Sequence, residues 1–556
     1  MKTALISVYD KTGIEGFAGD LVALDFKIFA SGGTAKALLD AGIPVEDTAS
    51  LAGGGSILGH RVVTLSREIH AGLLAKDNKE DREELSKLKI PFIDLVCADF
   101  YPLEEEIKKA EATRESVIEK TDIGGPTMVR SGAKGRRIVV CDSGDRTKVI
   151  KWLKAGEPDR EKFINDLAAK AEAVVGRYIV QSAEYHSEGR YKQIFGEKFL
   201  ECAYGENAYQ KPACLYSSDV GRPNFGRPTS DELAIYKWVL VAGNPMSYNN
   251  ICDLDRMMQT MTHIGAGFEK NFGFIPFVAI GVKHGNACGA AAGDNPVEVI
   301  EKMLTGDLRA IFGGSVMLNF PVDEKIADEL IHKYSGEVRR LLDIVAAPSF
   351  TPEAVEILSR KKGKCRLLMN PAILKAGLSS FDTAKRFRYV RGGFLTQPNY
   401  TFLPDMSKCL FDTKIIGDIM LAWAVGCTSN SNTITLVKNG RLAGNGVGQQ
   451  DRVGAAKLAI FRADEAVLEM QKVVGVPLGT PTTKSTKLAD LEGAVAYSDS
   501  FFPFPDAPEL LIERGIKTIF STSGSVNDEK IIELCKNKGV NLVLLPDAEA
   551  RGFYQH

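Results

Sequence analysis

An α/β protein, with parallel sheet covered by helices, is predicted by three observations. Through the first 150 residues short apolar runs alternate with helical patterns, the alternation that βαβ units impose. Beyond Lys198 the alternation continues in longer units. The last 60 residues hold one more strand, loop, helix and strand, TIFSTSGSVNDEKIIELCKNKGVNLVLLP.

Taken in order, TALISVY, FKIFAS, FIDLVCADF and RRIVVCD read as strands and LVALDF as a weaker one, whereas ALLDAG, REELSKL and PLEEEIKKA read as helical. Residues 161–190 look helical and charged, which suits a connector or a packing helix. A boundary at Lys198 gives a first domain of residues 1–197 and a second of residues 198–556. In the second, IPFVAIGV, LDIVAAP, KCRLLMN, NTITLVKNG and KTIFSTSG are strand candidates, and NPVEVIEKML, EAVEILSRK and DRVGAAKLAIFRADEAVLEM are helices. The similar texture before and after about residue 370 allows two related subdomains.

A chain of 556 residues is long enough for roughly three to five folding units at about 100–200 residues each. Its 44% hydrophobic and 25% charged residues are those of a soluble globular protein. A net charge of −2 gives no general reason to expect nucleic acid, and leaves room for a local basic pocket that takes a phosphorylated metabolite. The start, MKTALISVYDKTG, breaks its apolar run at Tyr9, Asp10 and Lys11, unlike a secretory leader, and no run approaches a membrane span. Ten cysteines without a C-x-x-C pair fit reduced thiols in a cytoplasmic protein, and no Cys/His cluster has the spacing of a metal site.

Several loops carry chemistry. FASGGTAKALLDAG places Ser31, Gly32, Gly33 and Thr34 between a strand and a helix, where free N–H groups favour an anion. A phosphate site and a plain tight turn fit this stretch equally well, and the Walker A spacing is absent. TDIGGPTMVRSGAK puts Asp122, Gly124 and Gly125 at a second helix entrance, with Arg130 and Lys134 following. Tyr101 sits where a strand ends, a usual place for ligand contacts. GVKHGNAC sets Lys283 and His284 at the end of an apolar run, before a small-residue loop. Adjacent side chains on a strand point to opposite faces, so both serve one pocket only if the strand ends there. On that segment alone a satisfied histidine beside a solvated lysine is the simpler reading.

The segments SVYDKTG, ASGGTAKAL, TLSREIHAGLL, DIGGPTMVRSGAK, YGENAYQ, SYNNICDLD, VKHGNACGAA, FGGSVMLN, SNSNTI, GVGQQDR, SDSFFPFPD and ARGFYQH, in that order, resemble the bifunctional purine-biosynthesis family that joins an AICAR transformylase to an IMP cyclohydrolase. The resemblance runs essentially end to end. It implies a methylglyoxal-synthase-like N-terminal domain and two cytidine-deaminase-like α/β subdomains without zinc. It also implies a homodimer with transformylase sites at the interface, 10-formyltetrahydrofolate as cosubstrate, and the structural potassium that some relatives hold. Nucleic acid and membrane are not implied partners; AICAR, FAICAR, IMP and folate are.

By the same likeness Lys283, His284 and Asn432 carry formyl transfer, with histidine suited to take the proton of a weakly nucleophilic amine and lysine to stabilise an oxyanion. Lys134, Asp122 and Tyr101 match the ring-closing positions. Ser31, Gly32, Gly33, Thr34, Arg61, Thr64, Gly124, Gly125, Tyr204, Asn250, Asp343, Arg452, Phe501, Asp506 and Arg551 match substrate-binding positions. The chain departs from the family pattern at Val63, where the family has a lysine, and at Ala203 and Tyr209, where it has arginine and histidine. Ring closure is then weakened, reorganised around Arg67 or Lys134, or lost, the first domain in that case serving to bind a phosphorylated ligand and regulate the rest. A formyltransferase for another amino-imidazole nucleotide is the further alternative.

Overall fold

The computed structural model describes residues 1–59, 61–217, 231–336, 338–474 and 488–556. It divides into two compact units, Met1–Lys198 with Tyr216–Ser230, and Phe199–Leu215 with Asp231–His556.

The first unit is built on five parallel strands, β1 (Lys2–Ser7), β2 (Phe26–Ala30), β3 (Glu46–Asp47), β4 (Leu95–Ala98) and β5 (Ile138–Val140), in the order β3-β2-β1-β4-β5. Ala4 and Ile6 enter one apolar cluster and Leu5 the other, so the sheet is buried on both faces as a parallel sheet requires. LVALDF is not a strand. Its first three residues close the helix Ile14–Ala23, because Ile14, Phe17, Ala18 and Leu21 recur at helical spacing and are buried together. The charged segment after Arg160 is one helix, Arg160–His186, which buries Val174, Val175 and Tyr178. The chain builds outward from β1 through β2 to β3, then returns to add β4 and β5 on the other side. The reversal lies between β1 and β4, and the crevice beyond their carboxyl ends is where an open α/β sheet binds ligands.

A ribbon of β6 (Glu197–Cys202) and β7 (Ala213–Ser217) comes next in the chain. The second unit then contributes β8 (Val239–Ala242), β9 (Phe277–Lys283), β10 (Asn286–Gly293), β11 (Gly314–Leu318), β12 (Leu342–Ala347) and β13 (Arg366–Met369). A hairpin of β14 (Arg386–Val390) and β15 (Gly393–Gln397) follows, then β16 (Ile434–Lys438), β17 (Arg441–Gly446), β18 (Val495–Ser498), β19 (Thr518–Ser523) and β20 (Asn541–Pro546). Eleven of these form one sheet, β20-β19-β18-β16-β17-β10-β9-β11-β12-β13-β8.

That order contains a repeat. The run β10-β9-β11-β12-β13 has the same sequence of antiparallel and parallel pairings as β17-β16-β18-β19-β20, and the halves meet where Ala291 pairs with Arg441. Each half follows a long helix, Tyr248–Phe272 or Thr413–Cys427, and both helices enter one core cluster.

The repeat extends to single residues. Val282-Lys283-His284-Gly285-Asn286-Ala287-Cys288-Gly289 lies in the same hairpin register as Val437-Lys438-Asn439-Gly440-Arg441-Leu442-Ala443-Gly444, with Lys283 opposite Asn286 and Lys438 opposite Arg441. The segment NACGAAAG is therefore a strand, where the sequence pointed to a loop. Its small residues reflect close packing: a Cβ on Gly289 would stand 2.1 Å from the Met303 carbonyl oxygen, and one on Gly444 2.1 Å from that of Ala459.

Candidate active sites

In the first unit the ends of β1, β2 and β4 open onto a crevice of ≈ 820 Å³ that reaches Ser31, Gly33, Arg61, Thr64, Tyr101 and Asp122. Two helix starts face it, Gly32–Asp40 and Gly124–Lys134. The N–H groups and dipoles of such termini attract phosphate or a developing oxyanion. Ser7 and Ser31 share a hydroxyl hydrogen bond of 2.7 Å, and the Thr34 hydroxyl donates to Val8 O at 3.1 Å. Lys11 holds its ammonium against the carbonyls of Val8 and Tyr9 at 2.7 and 3.0 Å. Glycine is needed at 124 because a Cβ there would come within 2.8 Å of Thr64 Oγ1.

Burial raises the Asp122 carboxyl, and the Gly125 N–H, 2.9 Å from Oδ1, acts in the opposite sense. Burial, and then the Asp122 charge, raises the Tyr101 phenol. That phenol remains a hydrogen-bond donor near neutral pH while Asp122 sits nearer the range of a working base. Tyr9 packs edge-on against Tyr101 at 5.6 Å, and the Lys120 ammonium lies 5.6 and 5.9 Å from the two rings. Asp99 joins them across the reversal point. It accepts from the backbone N–H groups of Tyr9 and Asp10, and burial pushes its carboxyl up to about 6. Tyr9, Lys11, Asp99 and Lys120 were not singled out as site residues from sequence. The sign available was position, since all but Lys120 lie just past a strand end.

Lys134 is set apart from this crevice. It ends the helix that Gly124 begins, about 15 Å away at 1.5 Å per residue, and lines a separate groove with Ala168 and Glu172. Arg67 pairs with Glu68 at 3.1 Å on the surface. Val63 lines the crevice itself, and Arg61 is engaged by Glu119 at 2.9 Å. Lys120, which the family likeness did not single out, is the cation placed beside the Tyr101 ring.

In the second unit β9 ends at Lys283 and His284 opens a two-residue turn. His284 and Gly285 have φ of 52° and 73°, matched by 53° and 71° at Asn439 and Gly440. Such a turn favours Asn-Gly; the second copy has it, and the first places a histidine in the strained position instead. Each turn is held by a helix carboxylate. Asp253 accepts from Gly285 N at 2.8 Å, and Asp418 accepts from Asn439 N and Gly440 N at 2.8 and 2.6 Å. Burial raises both carboxyls. Lys283 Nζ donates to Phe312 O at 2.9 Å, and His284 is exposed.

The turn is tied to the loop that carries Asn432. Asn286 Nδ2 donates to His284 O at 3.3 Å, and Asn286 Oδ1 accepts from Asn430 N at 3.2 Å. Asn432 exchanges two backbone bonds with Gln449, each 3.1 Å. Beside that loop Arg452 is ion-paired with the fully buried Asp499, whose backbone bonds to Thr433 and Gly552. Arg551 pairs with Asp547 at 2.5 Å and lies 5.8 Å from the Phe501 ring. Asn432, Arg452, Phe501 and Arg551 therefore gather around Asp499. Elsewhere, Asn250 forms a buried capping box with Ser247, and Tyr204 O accepts from Tyr248 N at 3.2 Å. Asp343 pairs with Arg360 at 3.1 Å, and Asp506 accepts from Ala507 N in the first turn of its own helix. Ala203 bonds Met246 through its backbone, and Tyr209 is 83% exposed.

Fold and sites define a two-site α/β enzyme: a crevice faced by two helix starts in one unit, and a lysine-histidine turn on a duplicated sheet in the other. The AICARFT/IMPCHase bienzyme family matches residues 134–462, and the MGS-like domain matches residues 13–127. The chain belongs to the AICARFT/IMPCHase bienzyme family. It is 33% identical to the bifunctional purine biosynthesis protein PurH of Chlorobaculum parvum over 98% of this chain and 97% of that one. Against the PurH of Neisseria meningitidis it is 32% identical over 98% of each chain. A solved structure, "Crystal structure of ForH", is 34% identical over 34% of this chain and all of that one, with a TM-score of 0.31.

Proposed function

We propose that this protein performs the last two steps of purine-nucleotide synthesis, formyl transfer to AICAR and closure of the product to IMP. The observation that carries the reading is one site suited to each step, on one chain of this family. The second unit is read as two cytidine-deaminase-like subdomains, which the repeated strand order supports.

In formyl transfer the 5-amino nitrogen of AICAR attacks the formyl carbon of 10-formyltetrahydrofolate. His284 takes the amine proton and hands it to N10, Lys283 stabilises the oxyanion, and the C–N10 bond breaks to release tetrahydrofolate and FAICAR. Asn432 positions these groups, with Arg452, Phe501, Asp506 and Arg551 around nucleotide and folate. The exposure of His284 supports a homodimer in which a second copy covers the site, as do the exposed Phe387, Tyr389 and Leu395 of the β14–β15 hairpin. Among the described residues no cluster of His, Cys, Asp or Glu fits a transition metal. A structural potassium suits the buried Asp499 Oδ2, which has no hydrogen-bond partner there; it would satisfy that oxygen and take no part in a step. Ten free cysteines support a cytoplasmic location.

In ring closure the carboxamide nitrogen attacks the formyl carbon and water leaves. Most of the gain comes from holding two groups of one molecule in attacking geometry. Asp122 accepts the carboxamide proton, Tyr101 protonates the former formyl oxygen, Asp122 then delivers its proton so that this oxygen leaves as water, and the formamido N–H restores Tyr101, while Ser31 to Thr34 and the helix starts hold the phosphate. The test supplies AICAR with 10-formyltetrahydrofolate, and separately FAICAR, scoring FAICAR and IMP as distinct products. Both should form, and Asp122→Asn should slow ring closure at least about 100-fold. Ring closure no faster than the spontaneous rate would reduce the first unit to a binding or regulatory domain.

A further inference from the structure

Resting on the assignment of His284 as proton acceptor, we propose that Arg256 and the C-terminal Tyr554 are positioning residues for formyl transfer: they lock the Lys283-His284 turn to the loop bearing Asn432. Arg256 lies in the helix Tyr248–Phe272 and is buried. Its guanidinium touches the loop and the Tyr554 ring and lies beside the turn. Toward the turn, it stands 3.8 Å from where a Cβ on Gly285 would be. Toward the loop, Nη1 donates to Thr428 O at 2.7 Å and to Asn430 Oδ1 at 3.2 Å. Toward the C-terminus, its central carbon is 3.4 Å from the centroid of the Tyr554 ring.

Tyr554 is held on every side. The Arg386 guanidinium is 3.7 Å from the same centroid. At such separations each cation must lie over a ring face, and one face has no room for two, so the ring is clamped between them. Its hydroxyl donates to Asp255 Oδ2 at 2.6 Å, a contact spanning 299 residues of sequence. Its backbone N–H donates to Ser429 O at 2.9 Å, and Ser431 N donates to Gln555 O at 3.1 Å, so an isolated parallel bridge between Asn430 and Gln555 ties this segment to the loop.

These contacts continue to the chemistry. Asn430, gripped by Arg256, donates to Asn286, and Asn286 donates to the carbonyl of His284. The general base and the asparagine loop come from opposite halves of the repeat, and Arg256 with Tyr554 fixes their separation. A reacting group displaced by about 1 Å loses on the order of 100-fold in rate, so the loss should fall on kcat more than on KM.

The experiment uses full-length Arg256→Met, Tyr554→Leu and Tyr554→Phe, each alone and combined with His284→Ala, assayed with AICAR and 10-formyltetrahydrofolate. Arg256→Met and Tyr554→Leu should each lower kcat about 30-fold while KM moves less than about 3-fold. Tyr554→Phe, which keeps the clamped ring, should lose less than Tyr554→Leu. In the His284→Ala background neither Arg256→Met nor Tyr554→Leu should lower the residual rate more than about 2-fold, because positioning a missing base has no effect. Equal losses in both backgrounds would mark a merely structural role and overturn the proposal, as would a loss under about 2-fold in the parent. Full activity in His284→Ala itself would sink the underlying base assignment instead. The Tyr554 pair compares a variant that keeps the clamped ring with one that loses it, so it decides the matter even if Arg256→Met does not fold.

Discussion

The two turns of the repeat isolate what one residue contributes. His284 and Asn439 share φ, register and a helix carboxylate, so their difference is chemical and not conformational. Asparagine tolerates the left-handed region better than histidine. The variant His284→Asn is therefore expected to keep or slightly raise the unfolding midpoint while formyl transfer falls about 100- to 10,000-fold. Steady-state rates with a denaturant titration on the same preparation check both halves, and an active variant would remove histidine from the mechanism. The crevice shows the converse case. Val63, which by the sequence likeness stands where the family has a lysine, carries no charge into the crevice, yet Lys11 and Lys120 stand near Tyr9 and Tyr101, so positive charge reaches the site from other segments.

At the scale of elements the duplicated hairpins depend on close strand-to-helix approach. Gly289 meets the helix Pro296–Leu304, and Gly444 meets Arg452–Val474, at the same distance. In either place a methyl group would press on a backbone carbonyl that cannot rotate away. Gly289→Ala and Gly444→Ala should each destabilise by about 1–3 kcal/mol, read as the shift in urea midpoint of the second unit. A negligible effect at both would mean that the strands slide outward easily. This close packing also explains why NACGAAAG looked like a loop. Alanine and glycine are poor strand formers by propensity, and here the neighbouring helix determines which residues fit.

For the whole molecule, stability is expected to depend on pH through a residue far from either reaction. His263 is buried among Phe381, Tyr400 and Trp423; its Nδ1 bonds Gln259 O at 2.7 Å, and its Nε2 has no partner. Burial lowers it to about 4. Below about pH 6.5 the unfolded chain takes up a proton that the native state refuses until about pH 4. Stability is therefore whole above pH 6.5 and falls as pH drops toward 4, by about 3 kcal/mol in total. Denaturant titrations of the second unit across that range should show the slope, and His263→Gln should flatten it; an unchanged slope would place its origin in other groups.

The alternation of strands and helices, the family, the helix starts behind the Ser31 and Gly124 loops, and the end of a strand at Lys283 were all legible from sequence. Each rests on short-range periodicity, turn chemistry or motif order, which a local reading contains. The sequence also allowed a repeat near residue 370 without showing how its halves join. Tertiary structure alone decided that Lys134 lies away from Asp122, that Asp99 bridges to Tyr9, and that Tyr554 returns to Arg256 and Asp255. Those facts depend on contacts between residues distant along the chain. Sheet order and core packing set them, and no local pattern of residue types encodes which distant partner a side chain will meet.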